Sequence, residues 1–328
     1  MEYYIILHRD KTKFSELITL SSTAIKINPF FVEKDYWITL VLNRLAKSRY
    51  VSESVFKGGT SLSKGFGLIE RFSEDIDIAI INNDGKTGNE IKNIIRTVEK
   101  EMTKELNELE IKGVSSKGSR FRKSVFEYAS INTKNTNNKL IVEINSFANP
   151  FPFDKIEIKS FIFDFLKQTG NEEYAEQYNL EPFEINVLKK EQTLLEKMVS
   201  LIRFSFEKNP DESIAKKIRH FYDLFFLMGD EECAVFVKSD NFRKRFNEIL
   251  QHDREMFDEP SGWQNKIASE SPLVNDFDNI WNKLKGIYKT ELSALAYANI
   301  PDGLQFCQKV KNPQRSNPLR IHLQNMDK

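Results

Sequence analysis

Phe56-Lys57-Gly58-Gly59-Thr60-Ser61-Leu62-Ser63-Lys64, followed by Arg71-Phe72-Ser73-Glu74-Asp75-Ile76-Asp77-Ile78, is the stretch on which the fold turns. Ser54 to Lys57 reads as a short strand that runs into the two glycines, and Thr60 to Ile69 has helical spacing with Ser and Thr at its start. Ile76, Ile78, Ile80 and Ile81 then surround two aspartates in a β-branched run that closes on Asn82, Asn83, Asp84 and Gly85, a strand-and-turn signature. The order is strand, glycine turn, helix, strand. Adjacent glycines let backbone N–H groups approach an anion, and the helix that follows favours a phosphate, which Ser61 and Lys64 are placed to contact. Side chains two apart on a strand share a face, so Asp75 and Asp77 can jointly hold a hard cation such as Mg²⁺. The bland alternatives are a common glycine turn and carboxylates neutralised by local salt bridges to Arg71 or Lys57.

Phe31, Trp37, Ile38, Val41, Leu42 and Leu45 recur at helical intervals over residues 30–45, with Pro29 near the start. Ile91, Ile94, Ile95, Val98, Met102 and Leu106 predict a second amphipathic helix over 90–109. Residues 124–131 and 139–146 read as adjacent strands separated by the turn-rich Asn132 to Asn138, and 155–158 as one more short strand. Beyond Leu188 helical spacing dominates, over 194–206, 214–228, 241–250 and 277–298. The predicted class is α+β: a mixed-sheet core over 1–175 with an N-terminal helix, and a mainly helical region with a basic tail over 176–328. The boundary falls between Phe165 and Lys190. A third metal carboxylate is sought on a neighbouring strand. Glu143, in Leu140-Ile141-Val142-Glu143-Ile144, suits a central strand better than its competitor Glu157.

The chain has 328 residues, 48 Lys and Arg against 48 Asp and Glu, and so no net charge to attract a polyanion. An RNA partner therefore requires grouped basic residues. Candidates are Lys57 and Lys64 near the turn, Lys197, Lys216, Lys217 and Arg219, and the tail Lys309 to Lys328. Cys233 and Cys307 lack paired spacing, which fits a reducing compartment and excludes a cysteine zinc site or a disulfide framework. No window has the roughly 20 apolar residues of a membrane span, and the start of the chain does not read as a signal peptide. A cytoplasmic protein is expected.

The segment Phe56 to Ile78 resembles the signature of the AbiEii/AbiGii-type nucleotidyltransferase toxins, related to the MenT toxins, within the DNA polymerase β-like nucleotidyltransferase superfamily. The resemblance extends to Glu33-Lys34-Asp35-Tyr36-Trp37, Glu196-Lys197-Met198 and Arg219-His220-Phe221-Tyr222-Asp223-Leu224. It implies a polymerase β-like nucleotidyltransferase core in which Gly58, Gly59, Ser61 and Lys64 cradle an NTP while Asp75 and Asp77 hold Mg²⁺. By the same resemblance Lys197 reaches a phosphate and Asp223 positions the nucleotide or acceptor. Arg219, one helical turn before Asp223, is a further phosphate contact. An alternative for Asp223 is a structural pair with Arg219, and Lys197 read without the family is a surface lysine. His220 and Tyr222 stay outside the catalytic set.

The implied activity is transfer of NMP from an NTP to an acceptor hydroxyl with release of pyrophosphate, in a toxin–antitoxin or phage-defence system with a cognate antitoxin. A tRNA 3′ end is the leading acceptor. Nucleotidylation of a protein side chain is one alternative, and a non-catalytic nucleotide-binding protein is another.

Overall fold

A computed structural model describes residues 5–73, 75–82, 85–132 and 137–301. The basic tail Lys309 to Lys328 lies outside the described residues. The chain forms two compact units, the first running to Gly67 and again from Phe72 to Leu188, the second comprising Leu68–Arg71 and the chain from Lys189 onward. No helix among the described residues is long and apolar enough to cross a membrane.

In the first unit, α1 (Lys11–Ile25) and α2 (Pro29–Ala46) precede β1 (Ser54–Lys57), which passes directly into α3 (Gly58–Lys64) and then β2 (Asp75–Ile80). Then come α4 (Gly88–Met102), β3 (Asn107–Leu109), β4 (Ser116–Lys117), β5 (Phe121–Glu127), β6 (Lys139–Asn145), β7 (Phe153–Ile158), α5 (Phe161–Gln168), α6 (Glu172–Tyr178) and β8 (Phe183–Leu188). The strands form one mixed sheet in the order β3-β5-β6-β2-β1-β8-β7, with β4 beside β5. β2 runs parallel to β6 and β1 parallel to β8; the other pairs are antiparallel.

The two faces of β2 carry different chemistry. Ile76, Ile78 and Ile80 are fully buried, worth about 2 kcal/mol each, whereas Asp75 and Asp77 alternate with them on the opposite face. On β5, Arg122 Nε and Ser124 Oγ both donate to Glu99 of α4 at 2.6 Å. By alternation Lys123, between them, points to the face away from α4.

Several helices differ from the periodicity reading. The helix expected over 60–69 stops at Lys64, where Gly65 and then Gly67, at φ 58°, turn the chain. The helix expected to reach Leu109 ends at Met102, because Glu105 takes a left-handed φ of 71° and Asn107–Leu109 pair with β5 instead. A strand not expected from the sequence, β8, alternates Phe183, Ile185 and Val187 with the polar Glu184 and Asn186. Asn186 Nδ2 reaches Ser54 O, Val51 O and Ser52 O, so its polarity is used at the junction with β1. Residues 176–188, read with the helical half, thus belong to the first unit.

The second unit is helical: α7 (Lys190–Ser205), α8 (Pro210–Ala215), α9 (Arg219–Leu227), α10 (Glu231–Val237), α11 (Asp240–Met256), α12 (Pro272–Asn275) and α13 (Phe277–Leu295). α7 is its centre, packed against α8, α9, α10, α11 and α12 through buried Leu194, Leu195, Met198, Val199, Leu201 and Ile202. The single helix expected over 214–228 is two, separated at Lys216–Ile218.

Candidate active site

The first unit places the glycine turn against the second aspartate. β1 and β2 pair antiparallel with Lys57 opposite Asp77, so Gly58 follows directly beside that carboxylate. Gly58 sits at φ 81°, and a Cβ there would collide with Asp77 Oδ2 and lie 3.0 Å from its Cγ. Glycine is required both for the backbone conformation and for the space. No side chain caps α3. Thr60 Oγ1 donates to Asp75 O, which ties the first turn of α3 to the strand that carries the aspartates.

Asp77 is in register with Glu143 on β6, and Glu143 with Lys123 on β5. Residues opposite one another in a sheet share a face, so Lys57, Asp77, Glu143 and Lys123 form a row across four strands, with Asp75 two residues along. Lys123 Nζ pairs with Glu143 Oε2 at 3.2 Å. Burial works against the Lys123 ammonium, but Glu143 and Asp75, with a smaller contribution from Asp77, outweigh it and raise its pKa. Glu157 is exposed on the edge strand β7, opposite Glu184, with β8 and β1 between it and β2. Of the two candidates for a third carboxylate, Glu143 is the one beside Asp77.

Two other residues of the motif point elsewhere. Ser61 is fully buried and its Oγ donates to Gly58 O at 2.9 Å, bracing the glycine turn. Lys64 Nζ is 2.7 Å from Asp35 Oδ1 and also donates to Lys159 O, while Asp35 Oδ2 accepts from Phe161 N at 2.8 Å. Burial raises the Asp35 pKa against the opposing pull of Lys64. Both hydroxyl and amine, expected on a phosphate, make protein contacts within the unit.

The second unit holds a separate charged group. Asp223 is fully buried and receives Arg71 Nε on Oδ1 at 2.7 Å, Arg71 Nη2 on Oδ2 at 2.6 Å, and Lys197 Nζ on Oδ2 at 2.8 Å. Burial alone would favour the neutral acid, but Arg71 and Lys197 overcome it and hold the carboxyl well below the usual range. Asp223 therefore pairs with Arg71 and Lys197, not with Arg219, which is half-buried at the start of α9. Arg71, read as a local partner for the aspartates of β2, is a ligand of Asp223. Burial, with Lys197 and Lys217 nearby, pushes the His220 pKa well below its ordinary value.

The arrangement in the first unit suits a divalent ion delivered with a nucleotide. Mg²⁺ takes one or two carboxylates and completes its shell with water and phosphate oxygens. Asp75 and Asp77 supply two carboxylates on one face, and the missing Cβ of Gly58 leaves the space beside Asp77 clear. Among the described residues no three His, Cys, Asp or Glu side chains are grouped closely enough to hold a metal ion by themselves.

A family model described as nucleotidyl transferase AbiEii toxin, type IV TA system, matches residues 40–303. The chain belongs to the AbiEii nucleotidyltransferase toxin family. Among solved structures, MenT4, a nucleotidyltransferase toxin from Mycobacterium tuberculosis H37Rv, is similar at 14% identity and a TM-score of 0.37, over 76% of this chain and 92% of that one. No curated protein matches. As an AbiEii member the protein is a nucleotidyltransferase toxin of a type IV toxin–antitoxin system, with an NTP as substrate and an antitoxin as partner. The AbiEii match spans both units, including the glycine turn, the β2 aspartates, Lys197 and Asp223.

Local sequence does not mark Asp35, Arg71 or Lys123 as site residues. Asp35 lay inside the quoted Glu33–Trp37 motif, and Arg71 inside the signature itself, but nothing local indicates their partners. Lys123 precedes the strand as read from 124, and only the β5–β6 register reveals it.

Proposed function

We propose that this AbiEii protein transfers NMP from a Mg²⁺-bound NTP to an acceptor hydroxyl, with pyrophosphate as leaving group, and that the acceptor is a tRNA 3′ end. The observation that carries the reaction is the close approach of Gly58 to Asp77 beside Asp75: a bare backbone turn next to paired carboxylates. Asp75 and Asp77 hold the metal, with Glu143 beside them. The Gly58-Gly59 turn, braced by Ser61 and by Thr60, presents backbone N–H groups to the phosphates. The bound ion supplies charge stabilisation on the phosphoryl oxygens and the leaving group. No side-chain nucleophile is needed. In the second unit, Asp223 fixes the Lys197 ammonium and the Arg71 guanidinium in one geometry.

The choice of tRNA rests on the family resemblance and needs basic surface. Lys64 and Lys197 are withdrawn into buried pairs; the other grouped candidates are Lys57, Lys216, Lys217 and Arg219, and the tail lies outside the described residues.

Incubation with labelled NTPs, Mg²⁺, total RNA and cell lysate decides the acceptor. Label in tRNA is expected, with Asp75→Asn and Asp77→Asn each lowering transfer at least about a hundredfold. Label in protein would replace tRNA as acceptor. Absence of label with every NTP, together with undiminished toxicity of both variants, would sink the reading.

A further inference from the structure

The carboxylates of the site are not left to one another. Asp77 and Glu143 sit side by side in the row across β2 and β6, flanked by Lys57 on β1 and Lys123 on β5. Two adjacent negative charges in a sheet repel, and a cation at one end relieves that repulsion. Lys123 is that cation for Glu143, at 3.2 Å, with both side chains about a quarter exposed. Its neighbours on β5 are committed to the other face, to Glu99 of α4, so strand geometry aims Lys123 at the row.

We propose that Lys123 is the standing counter-ion of this row, a positioning residue that keeps Glu143 in an ion pair and so makes divalent-metal binding at Asp75 and Asp77 depend on the arriving triphosphate. The inference rests on the reading of Asp75 and Asp77 as metal ligands. Released from Lys123, Glu143 would add a third negative charge beside the two aspartates and strengthen capture of a divalent ion without nucleotide. With Glu143 neutralised by the ammonium of Lys123, two strands from β2, the two aspartates bind weakly, and the negative charge and oxygens of the NTP complete the site. Simple cross-strand stabilisation is the bland reading of the pair, and it predicts no effect on metal.

Titration of the full-length protein with Mn²⁺ in the absence of nucleotide, followed by the electron paramagnetic resonance of free Mn²⁺, separates these readings. Lys123→Met should tighten Mn²⁺ binding by about tenfold, and Lys123→Arg should retain the native affinity. Glu143→Gln should leave that affinity nearly unchanged in the native background yet cancel the gain when combined with Lys123→Met. Both side chains are partly exposed, so the variants should fold, which a thermal unfolding scan checks. Unchanged or weaker binding in Lys123→Met overturns the proposal, as does a loss in Glu143→Gln alone equal to that in Asp77→Asn. If Asp75→Asn and Asp77→Asn leave Mn²⁺ binding intact in every background, the metal reading itself has failed, a result distinct from the other two.

Discussion

A single methyl group at position 58 would test the glycine turn. In Gly58→Ala the left-handed φ costs about 1–2 kcal/mol, and the added Cβ pushes against the Asp77 carboxylate. The expected outcome is a modest fall in unfolding free energy with a more than tenfold loss of NMP transfer. Full activity in a normally folded Gly58→Ala protein would show that this contact does not place Asp77. Asp223 offers a test of a different kind. Replacing it by Asn strands Arg71 and Lys197 without a buried counter-charge, at about 3–5 kcal/mol near neutral pH. Its folded pKa lies below the unfolded value of about 3.9, so the stability it brings is complete above that pH and is lost as acid takes pH down through the folded value. The gap in unfolding free energy between native protein and Asp223→Asn should therefore narrow between about pH 5 and pH 2. A gap independent of pH would contradict the charged form of Asp223.

At the scale of elements, α2 shows where periodicity succeeded and where it misled. Its bounds follow from Asn28, whose Oδ1 accepts from Phe30 N, and from Pro29 in the first turn. The apolar spacing found the helix, yet Glu33, Lys34 and Asp35 are all buried within it, against the ordinary rule for charged residues. Glu33 accepts from Ile131 N and Ser130 Oγ, and Asp35 joins α2 to Lys64 of α3 and to the start of α5. Their burial depends on partners about 29 to 126 positions away, which no local pattern encodes. Asp35→Asn should destabilise the protein by about 3–5 kcal/mol, and Asp35→Asn with Lys64→Met by distinctly less, since the double variant leaves no ammonium unpaired. Additive losses in denaturant unfolding would mean that the pair does not act as one unit.

At the scale of the molecule, the segment Leu68–Arg71 belongs to the second unit although it lies within the signature of the first. Arg71 gives Asp223 two hydrogen bonds and bridges Ala296, and Tyr297 N donates to Glu70 O. Arg71→Met should lower the denaturation midpoint about as much as Asp223→Asn, and the two together should cost less than their sum. Local sequence is enough to specify the strand, glycine turn, helix and strand of the site, the β2 face bearing Asp75 and Asp77, and the helical character of the C-terminal half. Those features arise from local periodicity and from glycine stereochemistry. It takes the folded sheet and helices to set Glu143 and not Glu157 beside Asp77, to close the row with Lys123, and to commit Lys64, Lys197 and Arg71 to buried carboxylates. Strand order and register bring distant residues together through packing of the whole sheet, and the partner of a buried charge is fixed by desolvation, which a linear pattern does not carry.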